Sequence, residues 1–197
     1  MKDALHERLM PAVAAALGRA NVNARDIDRI VCGGGPGSFT SLRIAGGIAK
    51  GIATGLAGGR PLFAVPSLAL VVAGNDLPLG RYLVALDALR GEYYVGLYDI
   101  TLHDVAEVEP ARLVAASAVL DEERGLATEY EARLVSPSHL PGGLVARPKA
   151  RGVVRLGKLL EEGKGPVDVG SWEPAYGRLA EAQVKWESAH GRPLPAR

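Results

Sequence analysis

Gly35-Pro36-Gly37-Ser38-Phe39-Thr40-Ser41-Leu42-Arg43-Ile44-Ala45-Gly46-Gly47 is the stretch whose reading decides the fold. It follows an apolar run over 27–31 and leads into a segment made almost wholly of Ile, Ala and Gly. The order is strand, glycine turn, helix. Such turns often cradle phosphate, because free amides at a helix N-terminus carry partial positive charge. Neither phosphate fingerprint fits. A P-loop needs Gly-Lys-Ser/Thr after its four spacer residues, and no lysine appears here before Lys50. The dinucleotide pattern needs a third glycine where Ser38 or Thr40 stands. A serine-hydrolase elbow fails too, since Pro36 and Thr40 occupy the flanking glycine positions around Ser38.

Working outward, residues 5–20 place Leu5, Leu9, Val13, Ala16 and Leu17 at helical spacing. Pro11 costs about 3 kcal/mol in a helix interior but little in a first turn, so the stable helix starts near Arg8. A polar turn covers 21–25 and a strand 26–32. The glycine-rich helix runs over 41–57, with Ser38 or Thr40 as N-cap. A short buried strand covers 62–65, and a helix follows over 66–73. Residues 75–80, with Pro78, mark the best domain boundary, which divides the chain into 1–78 and 79–197.

The second half opens with three strands, over 82–86, 92–100 and 107–115. A helix (117–124), a strand (132–135), a Pro- and Gly-rich loop (137–148) and a helix (151–162) follow. The tail from 170 is less regular. The element order of the first half matches this without its opening three-stranded meander.

Composition bounds the function. The chain has 197 residues, 22 acidic and 23 basic side chains, and 48% apolar content. That allows a real core and gives no net field to draw nucleic acid or an anionic membrane. Cys32 is the single cysteine, which excludes a disulfide framework; its simplest reading is a small apolar core residue. No signal core opens the chain, and the apolar helix is too short and glycine-rich for a membrane span. The expectation is a soluble cytoplasmic protein.

Four stretches carry a family resemblance. The glycine turn with Leu42-Arg43-Ile44 and Ala49-Lys50-Gly51 is similar to the signature of the TsaB (YeaZ) family. Val65-Pro66-Ser67-Leu68, Leu86-Asp87-Ala88-Leu89-Arg90-Gly91-Glu92-Tyr93-Tyr94 and Glu173-Pro174-Ala175-Tyr176-Gly177-Arg178 resemble later family segments in the right order. Ser41 stands where the family usually has Gly. The resemblance implies an α/β, actin/Hsp70-like fold of two RNase-H-like lobes. It also implies that the chain begins after the family's opening meander and its phosphate segment, so that the first lobe lacks that meander. By resemblance the chain is a non-catalytic subunit that pairs with a TsaD-like catalytic subunit and works with a TsaE-like ATPase. Together they support threonylcarbamoyl transfer to the adenosine beside the anticodon. A homodimer is the other pairing, and tRNA is met only through the complex. The competing reading is an ATP-dependent small-molecule kinase of the same fold superfamily. A peptidase lacks any nucleophile–base pair.

The remaining constellations are weaker. His6, His103, His139 and His190 are scattered, so no metal site is expected. No catalytic or cofactor-binding residues are assigned. Asp87 and Glu92 could form an acid–base pair, but an Asp in a turn beside Arg90 explains them as well. Arg147, Lys149, Arg151, Arg155 and Lys158 form a basic run without interleaved aromatics; Arg151, Arg155 and Lys158 share a face of the expected helix. The strongest feature is the helix over 41–57. Its apolar and small residues span an arc of roughly 200°, against about 100° for an ordinary surface helix. Small residues recur every four positions, which allows close backbone approach. The family uses its first two helices to dimerise. The expected partner surface is therefore Leu42, Arg43, Ala45, Gly46, Ala49, Lys50 and Ala53, with Leu9 and Val13 from the first helix.

Overall fold

The structure is a computed structural model that describes residues 8–162, 165–177, 186 and 189–191, and at 122–124, 126–128, 130 and 162 the backbone alone. The chain order is α1 (Leu9–Ala20), β1 (Ile30–Gly33), α2 (Phe39–Gly55), β2 (Leu62–Val65) and α3 (Ala69–Ala73). Then come β3 (Gly80–Leu89), β4 (Glu92–Ile100), β5 (Val105–Ala115), α4 (Ala116–Tyr130), β6 (Arg133–Ser136), β7 (Leu144–Val145) and α5 (Gly157–Glu162).

There are two sheets among the described residues. β1 and β2 pair in parallel, with Ile30 opposite Leu62 and Gly33 opposite Val65. The larger sheet has the order β5-β4-β3-β6-β7. Its first three strands form an antiparallel meander, while β6 lies parallel to β3 and β7 parallel to β6.

Alternation along β3 builds a core on each face of this sheet. Tyr82 and Val84 join Tyr94, Tyr98 and Val135 in a cluster with Leu68, Val71 and Val72 of the α3 segment. Leu83 and Ala85 join Val95, Leu97 and Leu134 in a second cluster with Val119 of α4. The first cluster therefore spans both sides of residues 75–80. At the sheet's edge, β5 carries Pro110, whose missing N–H is harmless only where no strand follows.

Several elements differ from the sequence reading, among them the short strand β7 inside the stretch expected to be a loop over 137–148. The strand expected over 26–32 begins only at Ile30. Upstream of it Asp26 accepts the Asn23 N–H at 3.2 Å and closes a 3-10 turn, Ala24–Asp26. The Arg60 guanidinium holds that turn through the Ile27 and Arg25 carbonyls. The helix expected over 66–73 begins at Ala69, because Ser67 is tied to the glycine turn. The helix over 117–124 runs on to Tyr130. The helix expected over 151–162 breaks at Leu156 into a 3-10 segment, Ala150–Arg155, and α5. Arg151, Arg155 and Lys158 therefore do not share one helix face.

Candidate partner interface

The glycine turn is held by the chain's own groups. The Gly34 N–H donates to Val65 O at 2.7 Å, and the Ser67 N–H donates to Gly35 O at 2.8 Å. Gly35 N–H donates to Ser67 Oγ at 3.1 Å, and Gly34 O accepts from the Ala175 N–H at 2.7 Å. A side chain at Gly35 would run into the Ala175 carbonyl, and its φ of +108° also favours glycine. The segment over 167–177 thus lies across the turn as a strap. At its other end the Val167 N–H donates to Leu62 O at 2.8 Å. The strap reaches the larger sheet too, where Tyr94 Oη donates to Tyr176 O at 3.0 Å.

The strap also covers one side of α2. The Arg43 guanidinium sits 4.5 Å from the Phe39 ring centre and 5.9 Å from that of Tyr176. Lys50 Nζ sits 5.9 Å from the Trp172 ring centre. Between them, a Cβ on Gly46 would meet Pro174 Cγ at 3.2 Å and Trp172 Cζ3 at 3.4 Å. Gly46 therefore permits close approach by the strap.

Three sides of α2 can now be separated. Leu42, Gly46, Ala49 and Ala53 are buried within the chain, Ala49 and Ala53 packing with Leu62, Val167 and Trp172. Gly46, with Arg43 and Lys50 flanking it, also meets the strap. The third side is open among the described residues: a Cβ on Gly47, Gly51 or Gly55 would meet none of them within 4 Å. Ile44, Ile48 and Ile52 lie along this side and are only half-buried. Much of the wide apolar arc is thus covered within the chain, and the remainder is an exposed glycine stripe beside a half-buried isoleucine row.

Helix α1 has no buried residue along its 12 residues. Leu9, Val13 and Leu17 are half-buried, and Met10 is exposed. A helix without a buried face has little tertiary packing to stabilise it. Ser38 caps α2, with Oγ accepting the Ser41 N–H at 3.5 Å.

The sequence profile of TsaD, tRNA N6-adenosine threonylcarbamoyltransferase, matches residues 2–140. The tRNA threonylcarbamoyladenosine biosynthesis protein TsaB of Bacillus subtilis is 31% identical over 193 residues, covering 91% of this chain and 82% of that protein. The chain belongs to the TsaB/YeaZ family. YeaZ from Pseudomonas aeruginosa has the same fold, with a TM-score of 0.70 and 25% identity over 87% of this chain and 83% of that one. A second Pseudomonas aeruginosa structure, of a protein with similarity to peptidase YeaZ, gives a TM-score of 0.70 at 24% identity, over 90% of this chain and 86% of its own. The actin/Hsp70-like α/β fold expected from the sequence is the fold of this TsaB/YeaZ member.

Of the nine residues expected at the partner surface, Arg43 is exposed, and Leu9, Val13, Ala45 and Lys50 are half-buried. Leu42, Gly46, Ala49 and Ala53 are buried by the chain itself and have little surface left. Sequence reasoning overlooked the reason, the aromatic strap. Its signal was present in Trp172 and Tyr176, spaced to meet Lys50 and Arg43.

The other candidates resolve locally. Asp87 Oδ1 accepts the Leu89 N–H at 2.7 Å and steadies a hairpin tip in which Leu89, Arg90 and Gly91 have φ of 64°, 58° and 75°. Burial pushes the Cys32 thiol up to about 11. His103, His139 and His190 are exposed, whereas His6 and Arg178 lie outside the described residues. Among the described residues no group of three His, Cys, Asp or Glu side chains could hold a metal. No helix in them is long and apolar enough to cross a membrane.

Proposed function

We propose that this chain is a non-catalytic TsaB-type subunit of the cytoplasmic machinery that makes threonylcarbamoyladenosine in tRNA. It pairs through α1 and the open side of α2 with a TsaD-like catalytic subunit. The pair works with a TsaE-like ATPase. Its part is to hold the catalytic subunit in a productive arrangement, and the same surface could form a homodimer.

The observation that carries this reading is the partly exposed apolar surface of the first two helices. No residue of α1 is fully buried, and α2 presents Gly47, Gly51 and Gly55 beside Ile44 and Ile48. Each helical glycine costs about 1 kcal/mol relative to alanine, and close approach of another helix is a reason to keep three. A non-catalytic role is supported by the glycine turn, whose Gly34 and Gly35 backbone groups bond to the chain itself, and by Asp87, which closes a turn.

The test is co-purification of Gly51→Arg with the catalytic subunit. The site is open within the chain, so the variant should fold, as checked by circular dichroism. The added side chain would stand in the helix contact and abolish pairing. A folded Gly51→Arg that pairs as wild type would remove this side of α2 from the interface. Ala49→Arg is not a usable probe, because Ala49 is only 5% exposed and the change would break the chain's own packing.

A further inference from the structure

We infer that the basic ridge around Arg147 and Lys149 is a contact surface for the phosphate backbone of RNA. This rests on the tRNA-modification reading above and names where this chain would touch the tRNA held by the complex.

Charge is segregated here. From 132 to 160 the sequence contains no Asp or Glu, while Arg147, Lys149, Arg151, Arg155 and Lys158 all fall within it. The whole chain carries only +1.

The ridge is also rigidly mounted. Asn75 Nδ2 donates to Arg147 O at 2.8 Å and to Val71 O at 2.7 Å. The Lys149 N–H donates to Leu70 O at 3.3 Å. Both bonds fasten the ridge to the α3 segment, where Val71 and Val72 are fully buried in the core. Two glycines permit the approach: a Cβ on Gly152 would lie 2.6 Å from Gly74 N, and one on Gly74 would lie 2.7 Å from Lys149 Cβ. Arg151 stays beside them, with Nε donating to Gly74 O at 2.9 Å and a loose pair to Asp76 at 3.5 Å. Arg147 and Lys149 are exposed, and among the described residues no carboxylate pairs with either.

The chemistry selects phosphate. No Phe, Tyr or Trp occurs between 131 and 171, so this stretch supplies neither the stacking platform of single-strand binders nor the aromatic anchor that protein interfaces favour. Exposed cations on a fixed backbone suit contact with phosphates, which positions a nucleic acid without reading its sequence.

The test titrates unmodified tRNA onto the reconstituted complex with the catalytic subunit, across a salt series, by fluorescence anisotropy. Two double variants are compared: Arg147→Glu with Lys149→Glu, and Arg147→Ala with Lys149→Ala. The charge reversal should weaken binding about tenfold or more at low salt, and each lost contact should lower the log–log salt slope by about one. The alanine variant should show the same slope change with a smaller loss of affinity. Pairing with the catalytic subunit should be unchanged. Equal affinity and slope in an intact variant complex would overturn the ridge alone. Loss of subunit pairing in both variants would place the ridge in a protein interface and overturn it as well. A wild-type chain that neither pairs nor carries tRNA would overturn the functional reading together with this one.

Discussion

At the residue scale, two side chains that invite a catalytic reading have conformational work. Ser38 caps α2, and Asp87 accepts the Leu89 N–H in a tip of three consecutive left-handed residues. Both roles are local, and neither needs a substrate. We therefore expect Asp87→Asn and Ser38→Ala to leave the reconstituted modification reaction within a few-fold of wild type. Ser38→Ala should lose on the order of 0.5–1 kcal/mol of stability, since the capping bond is long. A drop of about a thousand-fold in turnover, roughly 4 kcal/mol of barrier, would reveal a missed active site. The turn character of Asp87 was legible from its place between an apolar run and Arg90-Gly91. The bond from Gly34 to Ala175 was not, because those residues are distant in sequence and meet only when the strap folds over.

Helix α2 is the element in which function and packing divide. Its glycines at 47, 51 and 55 recur every four residues and Gly46 adjoins the first of them, yet their surroundings differ. Gly46 is pressed by Pro174 and Trp172, while Gly47 faces open space. The difference makes opposite predictions for neighbouring positions. Gly46→Val overpacks the strap contact and should destabilise by about 1–3 kcal/mol. Gly47→Ala removes a helix-breaking residue without a clash and should stabilise the isolated chain by up to about 1 kcal/mol. Urea denaturation of the two variants reads both. Similar midpoints would mean that the strap does not rest on α2. A helical wheel could show how wide the apolar arc was. It could not show that the strap and β1/β2 bury one part of it while Ile44 and Ile48 are only half-buried and Gly47, Gly51 and Gly55 are exposed.

For the whole molecule, the two sheets differ in how well they are supported. The larger sheet has five strands and a core on each face. The smaller has two strands, and two strands alone are marginal in water. Hydrogen exchange on the isolated chain should therefore be faster over 24–65 than over 82–100. The α3 segment should behave with the larger sheet, because Val71 and Val72 are buried in its core. Equal protection of both regions would show that the strap and α2 support the small sheet fully. Exchange is the right observable, since it reports local opening rather than global unfolding.

The features legible from the chain alone are those that local chemistry controls. The glycine turn, the strand over 62–65, the antiparallel meander and the helices around them followed from alternation, helical spacing and turn residues, and the ordered motifs led to the family. The tertiary structure decided which faces are spare. The sequence reading put Gly46 at the partner surface, and only the folded strap shows that Gly46 is covered while Gly47 is not. It shows a basic run, and only the approach of Gly152 to Gly74 turns that run into a fixed ridge. The physical reason is common to both cases: burial and close backbone approach depend on contacts between segments far apart in the chain, which no local pattern encodes.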